Sequence, residues 1–112
     1  MEEAGSHYQL VLCTCPDRAV AEALAEALIA SRLAACVNVI DGVTSIYEWD
    51  GKINKDGEVL LLIKSRADRF DTLRSAIVKR HPYELPEVIA VAVETGLTSY
   101  FRWIDACLTP SQ

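Results

Sequence analysis

The sequence predicts an α+β fold: a ferredoxin-like βαββαβ sandwich, with a four-stranded antiparallel sheet carrying two helices on one face, extended by a C-terminal helix. Three observations carry this reading. Four apolar runs have the length and the Val/Ile/Leu content of strands. Two amphipathic segments fall between the first and second of these runs and between the third and fourth. Asp50-Gly51 joins the middle pair, the strongest short hairpin signal available. A chain of 112 residues suffices for a single domain, 1–112 with its core over about 8–108, and is too short for two.

Each element has a local cause. Tyr8 to Cys13 reads as a short strand, with Tyr8, Leu10 and Leu12 on one face and Val11 and Cys13 on the other. Thr14 and Asp17 form a capping-box-like pair around Pro16 and open a helix over Asp17 to Ser31. That segment is nearly all Ala, Leu and Glu, the strongest helix formers. Val20, Leu24 and Leu28 make its apolar stripe, with small Ala23 and Ala27 beside it. Ala35 to Ile40 is strand-like and apolar on both faces except at Asn38; after Asp41-Gly42 the pattern resumes from Val43 to Trp49. The return strand starts at Lys52 and is solidly apolar from Val59 to Ile63, with Asp56-Gly57 predicting a bulge or kink; a turn at Asn54 to Gly57 competes with the preferred one at Asp50-Gly51. So long a hairpin protrudes from a small domain unless something covers it.

Ser65 and Asp68 resemble a second capping box, ahead of a helix over about Ala67 to Arg80 with Phe70, Leu73 and Ile77 on one side. Glu87 to Glu94 carries no charge in its interior and is expected to be a central strand. Thr95-Gly96 turns the chain into a third helix, Leu97 to Leu108. Its two stripes, Leu97/Phe101/Ile104/Leu108 and Tyr100/Trp103/Cys107, predict burial on more than one side.

Between the second helix and the last strand lies His81-Pro82-Tyr83-Glu84-Leu85-Pro86-Glu87. Its two prolines fix their own φ and bias His81 and Leu85 toward extended backbone, making a stiff connector. The plain reading is a helix stop. The functional one is a preordered binding segment, since an imidazole, a phenol and two carboxylates share seven residues.

Composition excludes several classes. Eleven basic residues against 16 acidic ones give a net charge of −5, and no basic run exists to release counterions from nucleic acid. No apolar stretch is long enough to cross a bilayer, and Met1-Glu2-Glu3 is acidic where a secretory signal is basic, so a cytoplasmic location without membrane insertion is expected. Cys13, Cys15, Cys36 and Cys107 lack the spacing of a disulfide framework. Cys15, Cys36 and Cys107 read as structural thiols, and Cys13 has the same plain reading; in a strand Cys13 and Cys15 share one face. A hydrophobic content of 51% is more than one small domain hides, which predicts self-association through the sheet face that the two helices leave open. No nucleophile–base pair, phosphate-cradling loop or paired acid–base carboxylates stand out, so no enzymatic activity is expected. Trp49 is either a stacking surface or an interface aromatic, and Tyr83 either closes a pocket with Lys64 or Glu58 or covers the sheet end.

Four blocks carry a resemblance: Thr14-Cys15-Pro16-Asp17, Arg32 to Asn38, Thr44 to Lys52, and His81 to Glu87. Over about Gln9 to Leu108 the chain resembles the divalent-cation tolerance family CutA. The resemblance implies a ferredoxin-like subunit in a homotrimer whose long hairpins complete sheets across neighbours. It also implies a protein of metal-ion tolerance that binds copper (Cu2+) or other divalent ions, with Cys13, His81 and Glu87 as the corresponding ligands. Where some members have a second histidine before the first, this chain has Arg80, a fixed positive charge that would depress a neighbouring thiol's pKa. By analogy of fold alone, the alternative is a PII-like regulatory trimer that senses a small ligand in an inter-subunit cleft or acts as a protein-interaction scaffold.

Overall fold

A computed structural model of the chain describes residues 2–4 and 7–110. The strands are β1 (Glu2–Ala4), β2 (Tyr8–Cys15), β3 (Cys36–Trp49), β4 (Lys52–Arg66), β5 (Ile89–Ala92) and β6 (Thr95–Leu97). The helices are α1 (Arg18–Ala30), α2 (Phe70–Arg80) and α3 (Thr98–Leu108), with a 3-10 turn at Ala67–Arg69 leading into α2. The main sheet has the order β3-β4-β2-β5 and every pairing is antiparallel. That is the strand order of the split βαββαβ sandwich.

The hairpin of β3 and β4 is the longest feature, and two turns of backbone shape it. Asp50 and Gly51 both have positive φ, 54° and 75°, so Trp49 pairs with Lys52 through the mirror-image turn that matches strand twist. The bulge falls at Asp41-Gly42, where two residues oppose Val59 and Gly42 takes φ 81°. At Asp56-Gly57, where a bulge was expected, the ladder is unbroken, with Ser45 opposite Asp56 and Thr44 opposite Gly57. The bulge settles where the glycine can adopt the left-handed conformation. The distal hairpin leaves Ile46, Trp49 and Ile53 exposed and draws the molecule out to 47 × 29 × 23 Å.

The main core lies between one sheet face and the two helices. Val11, Cys13, Cys15, Leu61 and Ile63 project from the sheet onto Leu24 and Leu28 of α1 and Leu73 and Ile77 of α2. Each fully buried aliphatic side chain contributes about 1.5–3 kcal/mol. Ala21 and Ala25, not Ala23 and Ala27, are the small residues buried against it, on the other flank of the apolar stripe from the expected pair. The caps also differ. Asp17 alone caps α1, its carboxylate accepting from the Val20 N–H at 2.9 Å, while Thr14 stays in the strand. Ser65 is buried and donates its hydroxyl to the Leu33 carbonyl at 2.7 Å instead of capping, and Asp68 accepts from Arg66.

Among the described residues, the second sheet face is covered at one end only. There Tyr8 stacks on Phe101, ring centroids 4.3 Å apart, in a cluster with Ile104 and Leu108 of α3. The remainder carries Leu10, Leu12, Leu60 and Leu62 half-buried and Ile40, Ile89 and Val91 exposed. β5 is an edge strand rather than a central one: among the described residues it pairs with β2 alone, and all four of its residues are exposed. Its lack of charge therefore reflects an open apolar face, not two hydrogen-bonded neighbours. On α3 the stripe Phe101, Ile104 and Leu108 is buried, but Leu97 belongs to β6, and Tyr100 and Trp103 remain exposed with Cys107 half-buried. The helix is thus buried on one side in the single chain. β6 pairs with β1 in a separate two-stranded ribbon where the sequence reads as a turn; three-residue strands are too short to show a period.

Candidate metal centre

α2 ends at His81, whose backbone turns extended (φ −74°, ψ 138°) ahead of Pro82. The ring is buried and both nitrogens are engaged. Nε2 lies 2.8 Å from the Thr14 carbonyl, and Nδ1 accepts the Tyr83 N–H at 3.1 Å. A carbonyl only accepts, so Nε2 carries the proton and the imidazole is the neutral tautomer. Tyr83 packs its ring against His81 at 4.6 Å and donates its hydroxyl to Glu58 at 2.8 Å. Burial first, and then this bond to Glu58, push the Tyr83 phenol well above its ordinary value. The connector is in this way fastened to β2 through His81 and to β4 through Tyr83. Lys64, an alternative partner for Tyr83, bonds to Asn38 instead.

Alternation along β2 sends Cys13 and Cys15 into the core beside His81. Their sulfurs and an imidazole nitrogen all lie within 4.8 Å of one another, and all three residues are buried. The Cys13 thiol is pushed up by its hydrogen bond to Cys15, by burial, and by the negative charge of Cys15, Glu87 and Glu58. Cys15 is drawn down, because the hydrogen bond from Cys13 outweighs its own burial. Arg80 is exposed on α2 and is not among the groups acting on Cys13, so the expected depression of that thiol's pKa by a cation does not occur.

Of the three residues read as ligands, Cys13 and His81 meet in the cluster and Glu87 does not. Glu87 is exposed and lines a cavity of about 530 Å³ with Tyr47, Trp49, Glu58, Tyr83 and Glu84. Thr14 shares that cavity wall, and the strand period puts Thr14 on the face opposite Cys13 and Cys15. Cys15 takes the third place in the cluster. The signal for it was the two-residue spacing that puts both thiols on one face. A metal–sulfur bond of about 2.3 Å needs the two sulfurs no more than about 4.6 Å apart, so the cluster can hold an ion with shifts of tenths of an ångström. The imidazole joins only by giving up its bond to Thr14 or to Tyr83.

A split βαββαβ domain with an open apolar sheet face and a buried thiol–imidazole cluster defines a small α+β protein with metal-ligand chemistry in its core. The family described as CutA1 divalent ion tolerance protein matches residues 9–107. The chain belongs to that family. It is 48% identical over 91 residues to mouse (Mus musculus) Protein CutA, covering 81% of this chain and 51% of the relative. It is 42% identical over 96 residues to the divalent-cation tolerance protein CutA of Thermus thermophilus, covering 86% of this chain and 93% of the relative. The solved Thermus structure superposes with a TM-score of 0.84. A CutA structure from Archaeoglobus fulgidus, named a periplasmic divalent cation tolerance protein, is 31% identical with a TM-score of 0.89, covering 91% of this chain and 99% of that one. The chain spans about half the length of the mouse relative that it matches. Among the described residues, no helix is long and apolar enough to cross a membrane.

Proposed function

We propose that this chain acts as a homotrimeric, cytoplasmic protein of metal-ion tolerance, binding copper or another divalent metal ion through Cys13 and His81, with Glu87 at the neighbouring cavity. The role is binding rather than catalysis. The observation that carries the proposal is the buried convergence of Cys13 with His81, 68 positions apart in sequence, at a rigid connector. Thiol and imidazole donors suit copper, which heads the order of divalent affinities. Four free cysteines fit a reducing compartment. The apolar face of Leu10, Leu12, Ile89 and Val91 supports assembly. Calorimetric titration with Cu(II) tests the site: saturable binding near one ion per chain is expected, with His81→Ala much weaker. Equal binding by the wild type and the Cys13→Ser/His81→Ala double variant would remove the proposal.

A second reading, a trimer that senses a small ligand, is favoured by the cavity of about 530 Å³, a volume in the range of small-molecule sites. Ligand-dependent thermal stabilisation that is lost in Tyr83→Ala, without any dependence on copper, would favour it over the metal reading.

A further inference from the structure

Building on the copper reading of the Cys13–His81 site, we propose that the ion this chain holds best is monovalent copper, gripped by both thiols of Cys13-Thr14-Cys15, with His81 as an auxiliary donor and Glu87 outside the coordination sphere. The donor set points that way. Two sulfurs and one imidazole nitrogen lie within 4.8 Å of one another, and no carboxylate joins them among the described residues. Thiolate-rich sites select soft ions. Structural Zn(II) takes four protein ligands, a three-ligand Zn(II) site keeps an open position for water, and Cu(II) prefers a tetragonal nitrogen and oxygen set. All three residues here are buried, and among the described residues the cluster has neither a fourth donor nor that tetragonal set. Cu(I) is soft and is satisfied by a small number of sulfur donors.

The strand makes the two sulfurs a fixed pair. β2 stays in register with β4 through both cysteines, Cys13 opposite Leu61 and Cys15 opposite Val59, and the Thr14 carbonyl between them is held by His81, so the backbone does not swing the thiols apart. Positions i and i+2 in a strand have Cα atoms about 6.6–6.8 Å apart, at the far limit of disulfide geometry. The pair therefore stays a dithiol under conditions that would close an ordinary neighbouring pair. His81 is hydrogen-bonded at both nitrogens, at 2.8 and 3.1 Å, whereas beyond Cys15 the Cys13 thiol makes only a long contact of 3.8 Å to the Thr14 carbonyl. On binding, the two S–H protons pass to solvent, two S–Cu bonds form, and the copper supplied as Cu(I) keeps its oxidation state.

The test is an anaerobic titration of the reduced chain with Cu(I), in competition with bathocuproine disulfonate. It follows the chelator's colour and the ultraviolet thiolate-to-copper band. One Cu(I) per chain is expected, with affinity falling more than about tenfold in both Cys15→Ser and Cys15→Ala, while Cu(II) affinity changes little. Circular dichroism melts of both variants show whether the fold is retained, and the alanine variant avoids burying a hydroxyl. Unchanged Cu(I) affinity in a folded Cys15 variant overturns the inference and leaves the copper reading standing. Failure of the wild type to bind either ion overturns both.

Discussion

His81 is more than a helix stop. The β5 ladder on β2 ends with Ile89 opposite Leu12, and beyond that point the imidazole takes the Thr14 carbonyl and holds the Tyr83 N–H. His81→Ala should leave both groups without these partners and cost about 1–3 kcal/mol, read as a lower urea midpoint in the absence of metal. An unchanged midpoint would mean that the connector is held by other contacts. Asp105 offers a pH test. Burial alone would raise its carboxyl, but the ion pair with Arg66 at 2.9 Å and the Tyr8 hydroxyl at 2.8 Å hold it below the ordinary value. A depressed folded value stabilises at neutral pH, and that contribution fades as pH falls from about 4 through the folded value. Asp105→Asn should lower stability at pH 7 by on the order of 1 kcal/mol or less, the pair being partly solvated, and should flatten the acid limb; a parallel shift at every pH would contradict this. Cys13 and His81 were legible as candidate ligands only through the resemblance, since their spacing is no ligand signature. Cys15 was read correctly as buried, and burial is what hid it, because a core thiol and a ligand thiol look alike until the strand brings a histidine beside them.

At the scale of elements, the long hairpin was written in Asp50-Gly51 and in the apolar runs on either side. Other features depended on contacts no local pattern records. The bulge moved to Gly42, Ser65 turned inward to Leu33, and β6 found its partner in β1, more than ninety positions away. Gly51→Ala isolates the turn. A Cβ there meets nothing within 4 Å, so the cost is backbone strain alone, about 1–2 kcal/mol, measurable as a lower unfolding midpoint with unchanged copper binding. A neutral result would show that the turn can take another form.

For the whole molecule, the physical problem is apolar surface. One chain leaves Ile89, Val91, Ile40 and the hairpin residues Ile46 and Ile53 open to water, and further copies of the same chain are the proposed cover. The sequence indicated this through its hydrophobic content, and placed β5 wrongly because an uncharged strand reads the same in a sheet centre and on an open face. Ile89→Asp/Val91→Asp should convert the proposed assembly to monomers, seen as an earlier-eluting species giving way to a later-eluting one on a sizing column. The most direct test is the wild-type mass by multi-angle light scattering at micromolar concentration. Three times the 12.4 kDa chain, persisting on dilution, is the expected result, and a stable species of one chain would contradict the account.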